Sequence, residues 1–359
     1  MLPYVEVLKF NADKSALAPF ALVEPSECWF ELSYYEIGEC EVYAPANPTT
    51  LSALVKGNFL KIPNKDFIWF ITGVQYEFNS DGARMVSAKG YEAKWLLKKR
   101  VILSPYQLPT ELGEAVFRLV NLSMGQGAAS FRKVKNFIVQ QNALGVQIES
   151  TQATRGELAE FVQNLLKASG CGSIVEYSNG SLVYRAFSGV DRSATVLFAQ
   201  SLDNLIAATY YTSDADVKTY CQIVSTFNEN NTSTDYVEEY DKGGTGIDRD
   251  EMTLQSNLST KYTDESGVER ETTPTSALYQ GWQIAEGKNA LAEKITAVEF
   301  DGEIDLAHSG YVFGVDFFVG DFVGIRDEFF GISAKARVTK YTFKQDAEGY
   351  GEEAEYGNE

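Results

Sequence analysis

Few residues in this chain have the type and spacing for chemistry. The single histidine, His308, stands in DLAHSGY. One imidazole cannot build a paired-histidine zinc motif, and any serine or cysteine relay would have to use it. No GxSxG elbow surrounds a serine, and Cys28, Cys40, Cys171 and Cys221 form no CxxC pair. The cysteines read as small buried hydrophobes of a reducing compartment. The glycine run GGTGID, Gly243 to Asp248, lacks the Gly-Lys-Ser/Thr ending of a phosphate loop and reads as a flexible loop. Asp316 and Asp321 in YVFGVDFFVGDFV could in principle supply the two carboxylates of glycoside hydrolysis. They read more simply as strand caps or part of a solvated face. Basic-aromatic interleaving is confined to KWLLKKR, Lys94 to Arg100, which is too short for a nucleic-acid platform. No catalytic, cofactor or metal site is expected, and the chain does not read as an enzyme.

Composition bounds the rest. The 359 residues are 44% hydrophobic and 23% charged, as in ordinary globular proteins, and carry a formal net charge of −19. That charge opposes specific nucleic-acid binding, since duplex affinity rests on Lys and Arg neutralising phosphates. An acidic inner surface that lets DNA pass remains compatible with it. Acid gathers in Glu229 to Glu271 and in Glu348 to Glu359, and such blocks read as solvated faces. No signal peptide opens the chain, and no apolar run reaches the ~18 residues of a membrane helix, so no membrane anchor is expected. The 22 Phe and 20 Tyr favour pleated, half-buried surfaces.

The pattern along the chain divides it. Residues 1–102 read as short strands ending in a helix at Tyr91 to Arg100, and so as a first β-barrel domain. Residues 103–205 read as an α+β domain, with a helix over Thr110 to Ser123. In the same domain Thr154 and Glu157 form a capping box, Gly170 is a helix C-cap and Asn179-Gly180 makes a hairpin turn. Residues 206–227 and 297–345 form a second, discontinuous β-barrel. Between its parts, residues 228–296 make a polar insertion in which Pro274 opens a helix bearing Leu278, Trp282 and Ala285. Residues 346–359 read as an acidic tail. The fold class is therefore mainly β with α+β parts, carrying two small tube-like barrels.

A repeat supports two barrels. Gly57, Phe59, Ile62, Tyr76, Phe78 and Asp81 recur as Gly320, Phe322, Ile325, Tyr341, Phe343 and Asp346. The glycine opens a strand and the Tyr-x-Phe alternation lines one face. The spacing equates Phe59 with Phe322 and Tyr76 with Tyr341.

Further stretches carry a family resemblance: GYEAKWLLKKRVI from Gly90, IDRDEMTL from Ile247, a helix with Gly281 and Leu291, YVFGVDFFVGDFVGI from Tyr311, and EGYGEEAEYG from Glu348. Together they resemble the central hub proteins of phage tail tips and baseplates, including the structural part of tail-associated lysins. The resemblance implies a structural virion protein, assembled in the host cytoplasm, that forms a homotrimer. Such a hub caps or continues the tail tube and adapts its six-fold symmetry to three-fold. Its implied partners are the six-fold ring of distal tail protein, the tape-measure protein and receptor-binding proteins, with the genome passing through the ring. The chain departs from lytic members by ending at Glu359, without an appended lytic domain. Alternative functions are a carbohydrate- or receptor-binding β protein and a cell-wall hydrolase.

Overall fold

The computed structural model describes residues 4–78, 82–229, 232–304 and 309–357. Asp81 of the first repeat copy and His308 lie outside the described residues.

Alternating apolar residues draw the N-terminal part into seven strands. These are β1 (Val5–Phe10), β2 (Leu17–Val23), β3 (Glu27–Ser33), β4 (Glu39–Pro45), β5 (Phe59–Lys61), β6 (Ile68–Phe78) and β7 (Arg84–Glu92). Helix α1 (Pro48–Ala53) lies between β4 and β5, started by Pro48 and by the Asn47 side chain, which accepts from the Thr50 N–H. A 3-10 helix, Ala93–Lys99, follows β7.

The middle of the chain holds β8 (Val101–Ile102), β9 (Tyr106–Gln107), α2 (Leu112–Ser123), β10 (Phe137–Val139), β11 (Gln152–Ala153), β12 (Gly156–Glu157), α3 (Leu158–Lys167), β13 (Cys171–Ser178) and β14 (Ser181–Ser188). The capping box expected at Thr154 and Glu157 does not form. Glu157 precedes α3 without a side-chain cap, because β12 is held against β8. Asn179 and Gly180 both take positive φ, 48° and 81°, as a tight hairpin between β13 and β14 requires.

The remainder forms β15 (Leu197–Ala199), β16 (Leu205–Ser213), β17 (Tyr220–Glu229), β18 (Thr232–Asp241), β19 (Glu251–Gln255), β20 (Lys261–Thr263), β21 (Glu269–Glu271), α4 (Ala277–Ala292), β22 (Ala297–Ile304), β23 (Phe322–Asp327), β24 (Ile332–Asp346) and β25 (Gly349–Gly357). Ser276, rather than the region of Pro274, starts α4 by accepting from the Tyr279 N–H.

A 13-stranded sheet dominates, in the order β16-β22-β25-β24-β3-β4-β7-β6-β5-β1-β2, with β23 and β15 branching from β24. It contains one antiparallel five-strand arrangement twice. The first is β3-β4-β7-β6-β5 and the second is β16-β22-β25-β24-β23. Chain order within the two units also agrees. The two closed barrels expected from the sequence are not found: among the described residues none of the sheets closes on itself. The reason lies in β24. Its first half pairs with β23 and its second half with β3, so edge bonds that could close one unit join the two instead.

Three boundaries move with this arrangement. The strand expected at Val217 to Phe227 in the second barrel is β17, which pairs with β18 and β19 in a separate sheet; β16 takes the barrel place. The insertion therefore spans 214–296, and it is folded: α4 covers that small sheet over Cys221, Ile223 and Leu291, beside a cluster of Leu258, Tyr279 and Trp282. The acidic tail proves to be β25, whose Ala354 and Tyr356 alternate inward between exposed or half-buried glutamates. One apolar core serves both units, bringing Phe30 and Trp69 together with Val338, Tyr341 and Phe343. A second core packs β5, β6 and the 3-10 helix against α2, α3 and β13.

Candidate functional site

The residues with chemical potential hold structural places. All four cysteines are buried and free, and burial pushes the Cys28 thiol up to about 12. The Asp321 carboxylate accepts from the Val190 and Phe318 N–H groups at 2.7 and 3.0 Å, and Asp316 accepts from the Val312 N–H. Both hold loops. Lys94 of KWLLKKR is buried against Glu92 at 3.2 Å, and donates to the carbonyls of Ser33 and Ser173. The Glu92 carboxylate also accepts from the Ser33 and Gly38 N–H groups, so this pair bolts the first unit to the α+β module. Gly243 to Asp248 is a loop that runs into a short 3-10 helix. Among the described residues no cluster of three His, Cys, Asp or Glu could hold a metal.

Sequence reasoning missed Glu286. Burial raises its carboxyl to about 7, and it lines a cleft of about 320 Å³ between α3, α4 and β19. A carboxyl raised that far can exchange a proton near neutral pH. The lining holds no histidine, cysteine or lysine to work with it.

The glycine halves of the two repeat copies share their backbone geometry. Gly57 and Gly320 take φ of 95° and 92°, each just ahead of a strand. The Gly57 N–H donates to the Ile71 carbonyl, and the Ile71 N–H to that of Asn58, at 3.0 and 2.9 Å. The Gly320 N–H donates to Val338, and the Val338 N–H to Asp321, at 2.6 and 2.9 Å. Phe59 then faces Phe70 as Phe322 faces Arg337. Ile62 and Ile325 are both buried. One residue later the same irregularity follows, between Ile71 and Gly73 and between Val338 and Lys340.

The Tyr-x-Phe half is displaced by two residues. Counted from that shared bulge, Phe343 stands in the place of Tyr76, and Tyr341 in that of Val74. The displacement arises because the β23–β24 hairpin is four residues longer than the β5–β6 hairpin. A shift of two leaves every side chain on its face, so alternation alone could not reveal it. Burial differs sharply: Tyr341 and Phe343 are 0% exposed, Tyr76 63% and Phe78 72%.

The sheet's other face is polar. Glu31, Glu39, Glu41, Glu77, Glu353 and Glu355 project there with Lys89, Lys340 and Lys344, as their cross-strand partners require. Lys340 lies 3.1 Å from Glu355 and 3.8 Å from Glu31, and Lys89 lies 3.4 Å from Glu41. Lys344 lies 3.2 Å from Asp346, so each lysine is held by carboxylates, and a surplus of negative charge remains.

This topology can be set beside known proteins. The family model for siphovirus ReqiPepy6 Gp37-like proteins matches residues 25–358. The chain belongs to that family. No curated protein matches it in sequence. A tail protein from Neisseria meningitidis shares the fold at a TM-score of 0.57 and 12% identity, over 99% of this chain and 96% of that one. The 43 kDa tail protein of prophage MuSo2 from Shewanella oneidensis does so at 0.56 and 11%, over 99% and 98%. At such identities the likeness is one of fold, and for this Gp37-like chain it runs end to end.

Proposed function

We propose that this Gp37-like protein is a structural component of a phage tail tip. Three copies form a ring that continues or caps the tail tube, adapts its six-fold symmetry to three-fold and takes part in host attachment. The observation that carries this reading is the doubled five-strand unit. Three chains present six near-equivalent units to a six-fold neighbour, and closed cyclic symmetry is the norm for homo-oligomers. The end-to-end likeness to two tail proteins supports the location. The two barrels expected from the sequence then belong to the assembly: the curved sheets of three chains close together around the channel.

The polar face lines that channel. Its carboxylates outnumber its lysines, and the lysines are held in ion pairs, so phosphates find no free cationic track. DNA passes such a wall without being retained. Catalysis has no place in this role. The adjoining partners are the distal tail ring, the tape-measure protein and receptor-binding proteins. Cryo-electron microscopy of the virion tests the proposal: three copies should sit at the tail tip around the axis. Two or six copies there, or a position elsewhere in the particle, would overturn it.

A further inference from the structure

We propose that two open strand edges of the large sheet, one in each five-strand unit, pair with each other between subunits. In this arrangement Gly73 to Phe78 of β6 runs antiparallel to β16 of the neighbouring copy. The inference rests on the ring proposed above and assigns its contact to named strands in a defined register.

The chain already contains this contact once. The second half of β24 pairs with β3, and Phe343 faces Phe30. β24 is the counterpart of β6, and β3 of β16. Yet among the described residues the second half of β6 has only β7 beside it, and β16 only β22. A strand half that is covered in one unit is open in the other, and its covering strand is open too.

The register follows from the backbone pairs. Cys40 faces Gly90 as Phe300 faces Tyr356, so Phe300 stands in the place of Cys40. Phe30 faces Cys40 and Tyr210 faces Phe300, so Tyr210 stands in the place of Phe30. Tyr76 stands in the place of Phe343. The Phe343–Phe30 pair inside the chain therefore becomes Tyr76 of one subunit opposite Tyr210 of the next. Gln75 falls opposite Tyr211 and Glu77 opposite Thr209.

Side chains at the edges agree. Tyr76 and Phe78 are 63% and 72% exposed, and Tyr210 and Tyr211 43% and 52%, whereas Phe343 and Phe30 at the internal junction are both 0%. Natural sheets guard open edges with lysine, proline or bulges. Here both segments carry aromatics, and Glu77 is the sole charged residue in Gly73 to Phe78 or Ala208 to Ser213. In the derived register no like charges meet. The contact is heterologous, so three chains make three such junctions, which alternate with three internal ones in a closed ring of six units.

The test is disulfide trapping in the full-length chain. Gln75→Cys combined with Tyr211→Cys should, on mild oxidation, give a covalent ladder ending at trimer, while each single variant gives none. Gln75→Cys with Ser213→Cys is the off-register control. Light scattering of the unmodified protein reads subunit number separately. A trimer that links only in the control register, or in neither, overturns the edge pairing and leaves the ring intact. A protein that stays monomeric or dimeric at every concentration overturns both. Tyr76→Asp, at an exposed position, should leave the fold unchanged by circular dichroism and abolish the trimer. An unchanged trimer counts against the contact.

Discussion

After its positive-φ glycine the first five-strand unit places Asn58, and the second places Asp321. Both side chains are buried, but they serve different neighbours. The Asn58 amide donates to the Ala53 carbonyl at the end of α1, whereas Asp321 accepts from Val190 and Phe318 and lies 3.7 Å from Arg192. The backbone bonds between strands coincide while the loops diverge. The hairpin after β3 is a short turn in the first unit, and in the second the corresponding connection holds the whole 214–296 insertion. The β23–β24 hairpin is longer and carries Phe329 and Phe330, 87% and 70% exposed at its tip. What is kept is the ladder that makes the sheet, and what varies is what each unit meets outside it.

Replacing the two glycines gives the largest expected contrast. A Cβ at Gly57 meets nothing within 4 Å, so Gly57→Ala costs only the left-handed backbone, about 1–2 kcal/mol. A Cβ at Gly320 would lie 2.2 Å from the Tyr34 ring. That ring cannot retreat, because the Tyr34 hydroxyl shares its one proton between the Gly170 and Phe187 carbonyls and accepts from the Gly189 N–H. Overpacking adds about 1–3 kcal/mol to the backbone term, and Gly320→Ala should lose about 2–5 kcal/mol. Chemical denaturation of both variants measures the difference. Equal losses would show that Tyr34 does not lock the second unit to the first.

The elements were largely legible in the sequence. Period-two alternation marked the strands, the Asn179-Gly180 pair marked its hairpin, and the glycine spacing marked the two places where the same backbone turn recurs. Sheet membership was not legible. Val217 to Phe227 alternates as cleanly as any strand of the large sheet, and only its partners, β18 and β19, assign it to the insertion. The strand that holds the barrel place, Leu205 to Ser213, straddled an expected boundary. Its paired tyrosines were the available signal. Acidic composition masked β25, because charge was weighed above the alternating Ala354 and Tyr356. The polar face was harder still: assigning Glu31, Lys340 and Glu355 to one surface needs the β3–β24 register, which depends on residues at opposite ends of the chain.

The two-residue displacement of the aromatic half supplies the next contrast. Phe343 is packed against Phe67, Phe313 and Tyr341 and is fully buried. Phe343→Ala should cost about 3–5 kcal/mol of stability. Tyr76 holds the corresponding place with its ring in solvent, so Tyr76→Ala should stay within about 0.5 kcal/mol in the isolated chain. Its effect should instead appear in subunit association, read by sedimentation or light scattering. A large loss of monomer stability for Tyr76→Ala would mean that the open edge is already covered within the chain.

The smallest expected effect concerns what holds the units together. Lys340 of the second unit reaches Glu31 of the first at 3.8 Å and Glu355 of its own at 3.1 Å. Partial burial pulls its pKa down, but the two carboxylates outweigh that and carry it above the usual lysine value. The Lys340 side chain is 29% exposed and open to counter-ions, so the pairing is worth about 0.2–1 kcal/mol. A double-mutant cycle of Lys340→Met with Glu31→Gln isolates the part that crosses the junction. The coupling should be below about 1 kcal/mol and shrink as salt is added, since exposed charges are screened. The junction then owes its strength to the strand ladder and to Phe30, Leu32, Tyr341 and Phe343 beneath it, all at most 1% exposed. A coupling well above that figure, or one insensitive to salt, would make the junction electrostatic. The apolar edges of β6 and β16 would then lose their value as a copy of it.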